Sequence, residues 1–194
     1  MADPEMHIVD STPRECPELS DSKSALQAVE NSGIRGSSAP PSDGCCFATP
    51  YIYYGYIKNY VESKNGTCYI EKQLYPAENG RVIFNYAYRE SGEIVKRFNA
   101  EYYLESGPGY NVSNVEVWPT PSGEYSSFPV LYLKCGSCII YKPVRVADNA
   151  CSMTVVDPNN IDPCCMEMYD YLCGPTRVPV YDKCACADVY AVIL

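Results

Sequence analysis

Residues 81–104 read RVIFNYAYRESGEIVKRFNAEYYL, two runs rich in Tyr, Val, Ile and Phe that are parted by Glu90-Ser91-Gly92. Aromatic and β-branched side chains fit the pleated, half-buried surface of a sheet, and a Gly-containing polar break marks a reversal of the chain. The same alternation of runs and breaks extends in both directions. It predicts strands over 51–60, 67–75, 81–88, 94–104, 110–118, 127–134, 138–145 and 150–156. Further turns are expected at Glu78-Asn79-Gly80, Ser106-Gly107-Pro108-Gly109 and Pro121-Ser122-Gly123. A meander of about eight such strands suits a closed, antiparallel, up-and-down barrel.

Two flanks complete the all-β picture. After the last strand, Asp162 is a good N-cap, Pro163 fits the first helical position, and Gly174 stands where a left-handed cap belongs, so one late helix is expected over 163–173. Its Cys165, Met168, Tyr169 and Leu172 recur at helical spacing and give one stripe to lay on a barrel wall. Arg177 to Asp182 reads as an extended return to the sheet. Residues 1–48 are rich in Ser, Pro, Asp and Glu and read as an irregular N-terminal arm, with a short helix from Ser22 to Asn31 that Gly33 ends. Met1 to Pro4 reads as a cloning scar. Residues 49–194 are the barrel.

Composition sets the compartment. Twelve cysteines in 194 residues point to an oxidising environment and a disulfide framework in which every cysteine is bridged. Cys16, Cys45 and Cys46 imply that the arm is tied to the body. Asn65-Gly66-Thr67 and Asn111-Val112-Ser113 are glycosylation acceptor patterns at Asn65 and Asn111. A secreted, soluble monomer is expected, since the longest apolar run, Val189 to Leu194, falls far short of the roughly 20 residues that span a bilayer. The net charge of −9 argues against nucleic acid and anionic membranes as partners.

The order Thr67-Cys68, Phe98-Asn99-Ala100-Glu101, Cys138-Ile139-Ile140-Tyr141, Cys151-Ser152-Met153, Ile161-Asp162-Pro163-Cys164 and Tyr181-Asp182-Lys183-Cys184 resembles the tick salivary lipocalins of the histamine-binding type over residues 50–186. The resemblance implies a lipocalin-type barrel. It also implies three bridges: Cys68 to Cys184 or Cys186, Cys138 to Cys164 or Cys165, and Cys151 to Cys173. The other cysteines, Cys135 among them, would form extra staples. Amine-binding members hold their ligand with inward carboxylates and tryptophans, because a buried ammonium needs negative charge and an aromatic face. This sequence departs from that set: Ser152-Met153-Thr154 replaces a Glu-Leu-Trp, Ile139 replaces an acid, and of the expected carboxylates Glu101 is retained.

Catalysis finds little support. Cys135 and Cys138 form a C-x-x-C, but it lies in a predicted hairpin turn without a βαβ unit or a second ligand pair, so structural bridges are the default. The single histidine, His7, sits in the arm, which leaves no His-supported nucleophile, metal site or cofactor to assemble. The candidate cavity set is Glu101, Glu116, Trp118, Tyr54, Tyr56 and Ser152. Nineteen tyrosines against four phenylalanines exceed what core packing needs, and exposed Tyr favours protein contacts. Candidate protein-binding loops carry Tyr110, Tyr125, Lys134 and Gly136. Two functional classes follow: a binder of a host serum protein, foremost a complement component, acting in immune evasion; or a carrier of a small inflammatory mediator such as histamine, serotonin, an eicosanoid or a sterol.

Overall fold

The computed structural model describes residues 47, 50–61, 66–76, 78, 80–105, 115–119, 125–143, 146 and 149–194, and of 93–96, 104–105, 115–119 and 125–127 the backbone alone. The alternating runs form β1 (Ile52–Lys58), β2 (Thr67–Gln73), β3 (Arg81–Glu90), β4 (Glu93–Glu105), β5 (Val115–Pro119), β6 (Tyr125–Lys134), β7 (Cys138–Tyr141) and β8 (Ser152–Val155). Each pairs antiparallel with the next, and β1 pairs with both β2 and β8, so the hydrogen-bonded circuit closes on itself. Closure joins the first and last strands of the circuit, while among the described residues β5 pairs with β4 only from Tyr103 to Glu105. The central hairpin turns at Ser91 and Gly92, both at positive φ. β7 is shorter than expected, ending at Tyr141 just ahead of Pro143, which has no N–H to give to a ladder.

Among the described residues two helices lie on the outside of the wall. α1 (Pro163–Cys173) starts where the Asp162 side chain accepts the Cys164 amide at 3.0 Å and ends at Gly174. Its Cys165, Met168 and Tyr169 pack on Cys138, Ile140, Met153 and Val155, the outward residues of β7 and β8. The expectation of one late helix is corrected by α2 (Ala187–Ala191), whose Val189 and Tyr190 cover Ile70 and Ala87. Five residues with no side-chain cap carry no local helix signal. Burial and a disulfide hold this turn in place instead. Among the described residues no helix is long and apolar enough to cross a membrane.

The bridges are Cys68–Cys186, Cys138–Cys165 and Cys151–Cys173. The first two choose between neighbours for a geometric reason: Cys165 and Cys186 are each 1% exposed and face the wall, whereas Cys184 is exposed. Cys184 is a free thiol, which corrects the expectation that every cysteine is bridged and removes Cys184 as a partner of Cys68. Cys135 and Cys164 are also disulfide-bonded, and since Cys138 pairs with Cys165 the C-x-x-C is two separate staples. The arm helix at Ser22–Asn31, Cys16, Cys45, Cys46, His7, Asn65 and Asn111 lie outside the described residues.

Candidate functional site

Inward and outward faces follow from register. Gly55 pairs with Thr154 and Tyr53 with Glu71, so these face the barrel interior, while Tyr54 pairs with Val155 and Ile70 on the outside. The interior is packed at one end by Phe47, Tyr53, Val82, Phe84, Tyr102 and Leu133. Gln73 ties that end down, its Nε2 donating to Phe47 O at 2.7 Å.

The opposite end is built differently. β1 pairs with β2 from Ile52 to Tyr54 and then parts from it. Into the gap comes β9 (Val178–Pro179), paired with Ile57 and Lys58. Val180 next to it donates its N–H to Tyr56 O at 3.0 Å and accepts the Cys68 N–H at 2.9 Å. The wedge widens the barrel at this end, and Cys68–Cys186 pins the adjoining segment. β1 also carries a register shift between Gly55 and Ile57. A bulge supplies one extra residue, so Ile57 faces outward with Met153 and Lys58 turns inward beside Ser152.

Lys58 is 4% exposed, an unusual place for an ammonium. Its Nζ donates to Gly66 O at 3.1 Å and lies 5.2 Å from the Tyr60 ring and 5.6 Å from the Tyr69 ring. Carbonyl and π faces both compensate a cation taken out of water. Ser152 shares a 2.9 Å hydrogen bond with the Tyr60 hydroxyl. Lys58, Tyr60, Tyr69, Tyr86, Tyr141 and Ser152 line a cavity of about 230 Å³.

Deeper in the barrel a second, smaller space of about 60 Å³ is lined by Glu71, Tyr53, Tyr102 and Thr154. Tyr86, Phe128 and Tyr141 border both spaces. Burial pushes the Tyr86 hydroxyl well above its ordinary range, and the negative charge of Glu71 adds to the shift. The interior therefore holds a cation near one end, a carboxylate further in, and aromatic walls between.

Of the expected cavity set, Ser152 lies on the interior. Glu101 does not: Ala100 and Tyr102 are the inward residues of β4, so alternation sends Glu101 outward. There the Arg81 guanidinium binds it at 2.6 and 2.9 Å and, with the Tyr103 hydroxyl, holds its carboxyl down at about 2. Tyr54 and Tyr56 are also corrected to the outer face, where both meet Tyr181 edge-on or tilted and Tyr54 meets Tyr190. Glu116 and Trp118 are placed by backbone alone, opposite Phe128 and Ser126. Lys134 makes a 2.6 Å ion pair with Asp162. Gly136, at φ +70°, lies under the Tyr51 hydroxyl. These two are scaffold contacts of the β6–β7 turn. Tyr110 lies outside the described residues, as does the turn before Tyr125. Among the described residues no cluster of His, Cys, Asp and Glu is placed to hold a metal.

Sequence reasoning missed Lys58, Glu71, Tyr69 and Tyr86. A signal existed for Glu71. If Cys68 bridges outward to the chain end, then Ile70 and Lys72 share its face, and Tyr69, Glu71 and Gln73 must point in.

No family model and no curated protein matches the sequence. Solved structures do. The protein AM182, determined as a serotonin complex, is similar over 78% of this chain and 94% of its own, at 13% identity and a TM-score of 0.52. Apocrustacyanin C2 is similar over 81% of this chain and 85% of its own, at 9% identity and a TM-score of 0.50. Such identities speak to the fold alone, and the fold they show is that of a lipocalin-type barrel.

Proposed function

We propose that this chain is an extracellular binding protein, not an enzyme, that sequesters a small, flat, anionic molecule inside its barrel. The observation that carries the reading is Lys58, 4% exposed on the wall of the 230 Å³ cavity and flanked by tyrosine rings. An ammonium on the wall of an aromatic-lined cavity can donate a charge-assisted bond to a ligand carboxylate or sulfonate. The disulfides suit secretion. The resemblance to tick salivary lipocalins supplies a setting, the removal of a host mediator at a bite, and the serotonin complex of AM182 is in keeping with a small-mediator role.

Fluorescence titration with naphthoate tests this. One site of micromolar or better affinity is expected, weakened about ten-fold or more in Lys58→Met. Equal affinity in the two proteins would refute the assignment.

Host-protein capture, with a complement component as target, is the second reading. It is favoured by the outer wall of β2 to β4, where Tyr75 is 64% and Tyr103 37% exposed beside Arg81. Tyrosine and arginine are the residues on which binding energy concentrates in protein interfaces. Tyr75→Ala with Tyr103→Ala should abolish capture from serum if this reading holds, and leave naphthoate binding untouched.

A further inference from the structure

We infer that the rings of Tyr86, Phe128 and Tyr141 form a partition across the barrel that sets the length of the ligand, admitting a flat acid the size of a naphthoate and shutting out a longer one. The inference rests on the barrel being the binding site and adds what limits the molecule held there. Among the described residues these three alone line both the outer space of about 230 Å³ and the inner one of about 60 Å³. They reach the interior from opposite walls. Tyr86 is on β3 and Tyr141 on β7, which face each other across a circuit of eight strands, and Phe128 comes from β6 beside β7.

The three rings meet over the lumen. Phe128 and Tyr141 pack edge-on, with centroids 6.1 Å apart and planes at 84°. The Tyr141 hydroxyl is close enough to Tyr86 to add to the upward shift of its hydroxyl. Tyr86 is wedged in its turn by Phe98 at 5.4 Å, Tyr88 at 5.6 Å and Tyr69 at 6.3 Å. A ring packed on so many sides does not swing aside without disturbing its neighbours. Below the partition the inner space is a dead end, because Phe84 and Tyr102 meet edge-to-face at 5.3 Å and Phe47 packs on Phe84 at 6.5 Å.

The same rings separate charges. Lys58 lines the outer space and Glu71 the inner one. An acid that reached past the partition would bring its negative charge toward the Glu71 carboxylate in a poorly solvated interior, where like charges repel strongly. The partition thus fixes both the depth to which a ligand enters and the side on which its charge stays.

Fluorescence titration with 2-naphthoate and anthracene-2-carboxylate, the second carrying the same head on a body one ring longer, tests this. The unaltered protein should bind naphthoate about ten-fold or more tighter than the longer acid. Phe128→Ala joins the two spaces and should cut that preference to about two-fold or less, by strengthening the longer acid. Phe128→Leu, which removes less of the core, should move the preference in the same direction. Val146→Ala, which enlarges the outer space alone, should leave the preference as it is. Equal binding of the two acids to the unaltered protein, or an unchanged preference in both Phe128 variants, would overturn the partition and leave the anion-binding reading standing. Binding of neither acid to the unaltered protein would overturn both.

Discussion

Gly55→Ala is the substitution whose cost can be worked most directly from the structure. A Cβ at this position would sit 2.7 Å from the Tyr69 Cβ, 3.3 Å from its Cδ2 and 3.4 Å from its Cγ. Ordinary contact begins near 3.4 Å, so the nearest pair must separate by about 0.7 Å, and that atom is anchored on the β2 backbone and cannot swing away. Tyr69 is hemmed in by Tyr86, Tyr88 and the Lys58 ammonium. Overpacking of this kind costs about 1–3 kcal/mol. Against it, alanine restricts the unfolded chain and returns about 0.4–1 kcal/mol. The net loss is about 0–2.6 kcal/mol, which for a chain of this size lowers Tm by up to roughly 10 °C. Because Tyr69 lines the cavity, naphthoate affinity should fall as well. Differential scanning calorimetry of the two proteins, followed by the titration, checks both. A variant as stable as the parent, with unchanged binding, would mean that Tyr69 does not lie across Gly55 and that the placement of the cavity wall is wrong.

Other perturbations have definite signs. Removing the Cys68–Cys186 bridge as the double serine variant should cost about 4–5 kcal/mol by loop entropy, given its sequence separation of 118, whereas Cys184→Ser should leave the denaturant midpoint unmoved; thiol titration of the native protein should find Cys184 reactive. The Glu101 carboxyl is lowered from 4.5 to about 2 by Arg81 and Tyr103, so its contribution is present above its unfolded value and is lost as pH falls through about 2. Glu101→Gln should therefore flatten the acid limb of stability, by no more than about 1 kcal/mol for so exposed a pair. Tyr169, fully buried, has its hydroxyl pushed up to about 12 by burial; its stabilisation is present below the ordinary tyrosine range and lost as pH rises through about 12. Ultraviolet titration should show one late-ionising tyrosine fewer in Tyr169→Phe.

The strand pattern was legible because local chemistry and tertiary need agree there. Runs of Tyr, Val and Ile pair, Ser91-Gly92 turns, and Asp162-Pro163 starts α1 in the expected place. The interior was much less legible, and one bulge explains most of the difference. Strict alternation from Tyr53 would have sent Ile57 inward and Lys58 to solvent, the ordinary fate of each type. The register shift between Gly55 and Ile57 exchanges them. It arises where β1 leaves β2 for β9, and that event depends on residues more than a hundred positions away in sequence. A similar dependence hid the sign of the site. Glu101 was marked out by a motif, but its side of the sheet is set by Ala100 and Tyr102, which pair with Phe84 and Val82 in the core. Glu71 carried no motif at all. The far ends of its strand decide its direction, through Cys68 on the outside and Gln73 at the barrel floor. What a barrel binds is thus written in which of two faces each polar residue takes. That choice is made strand by strand, through register and staples, before composition has any say.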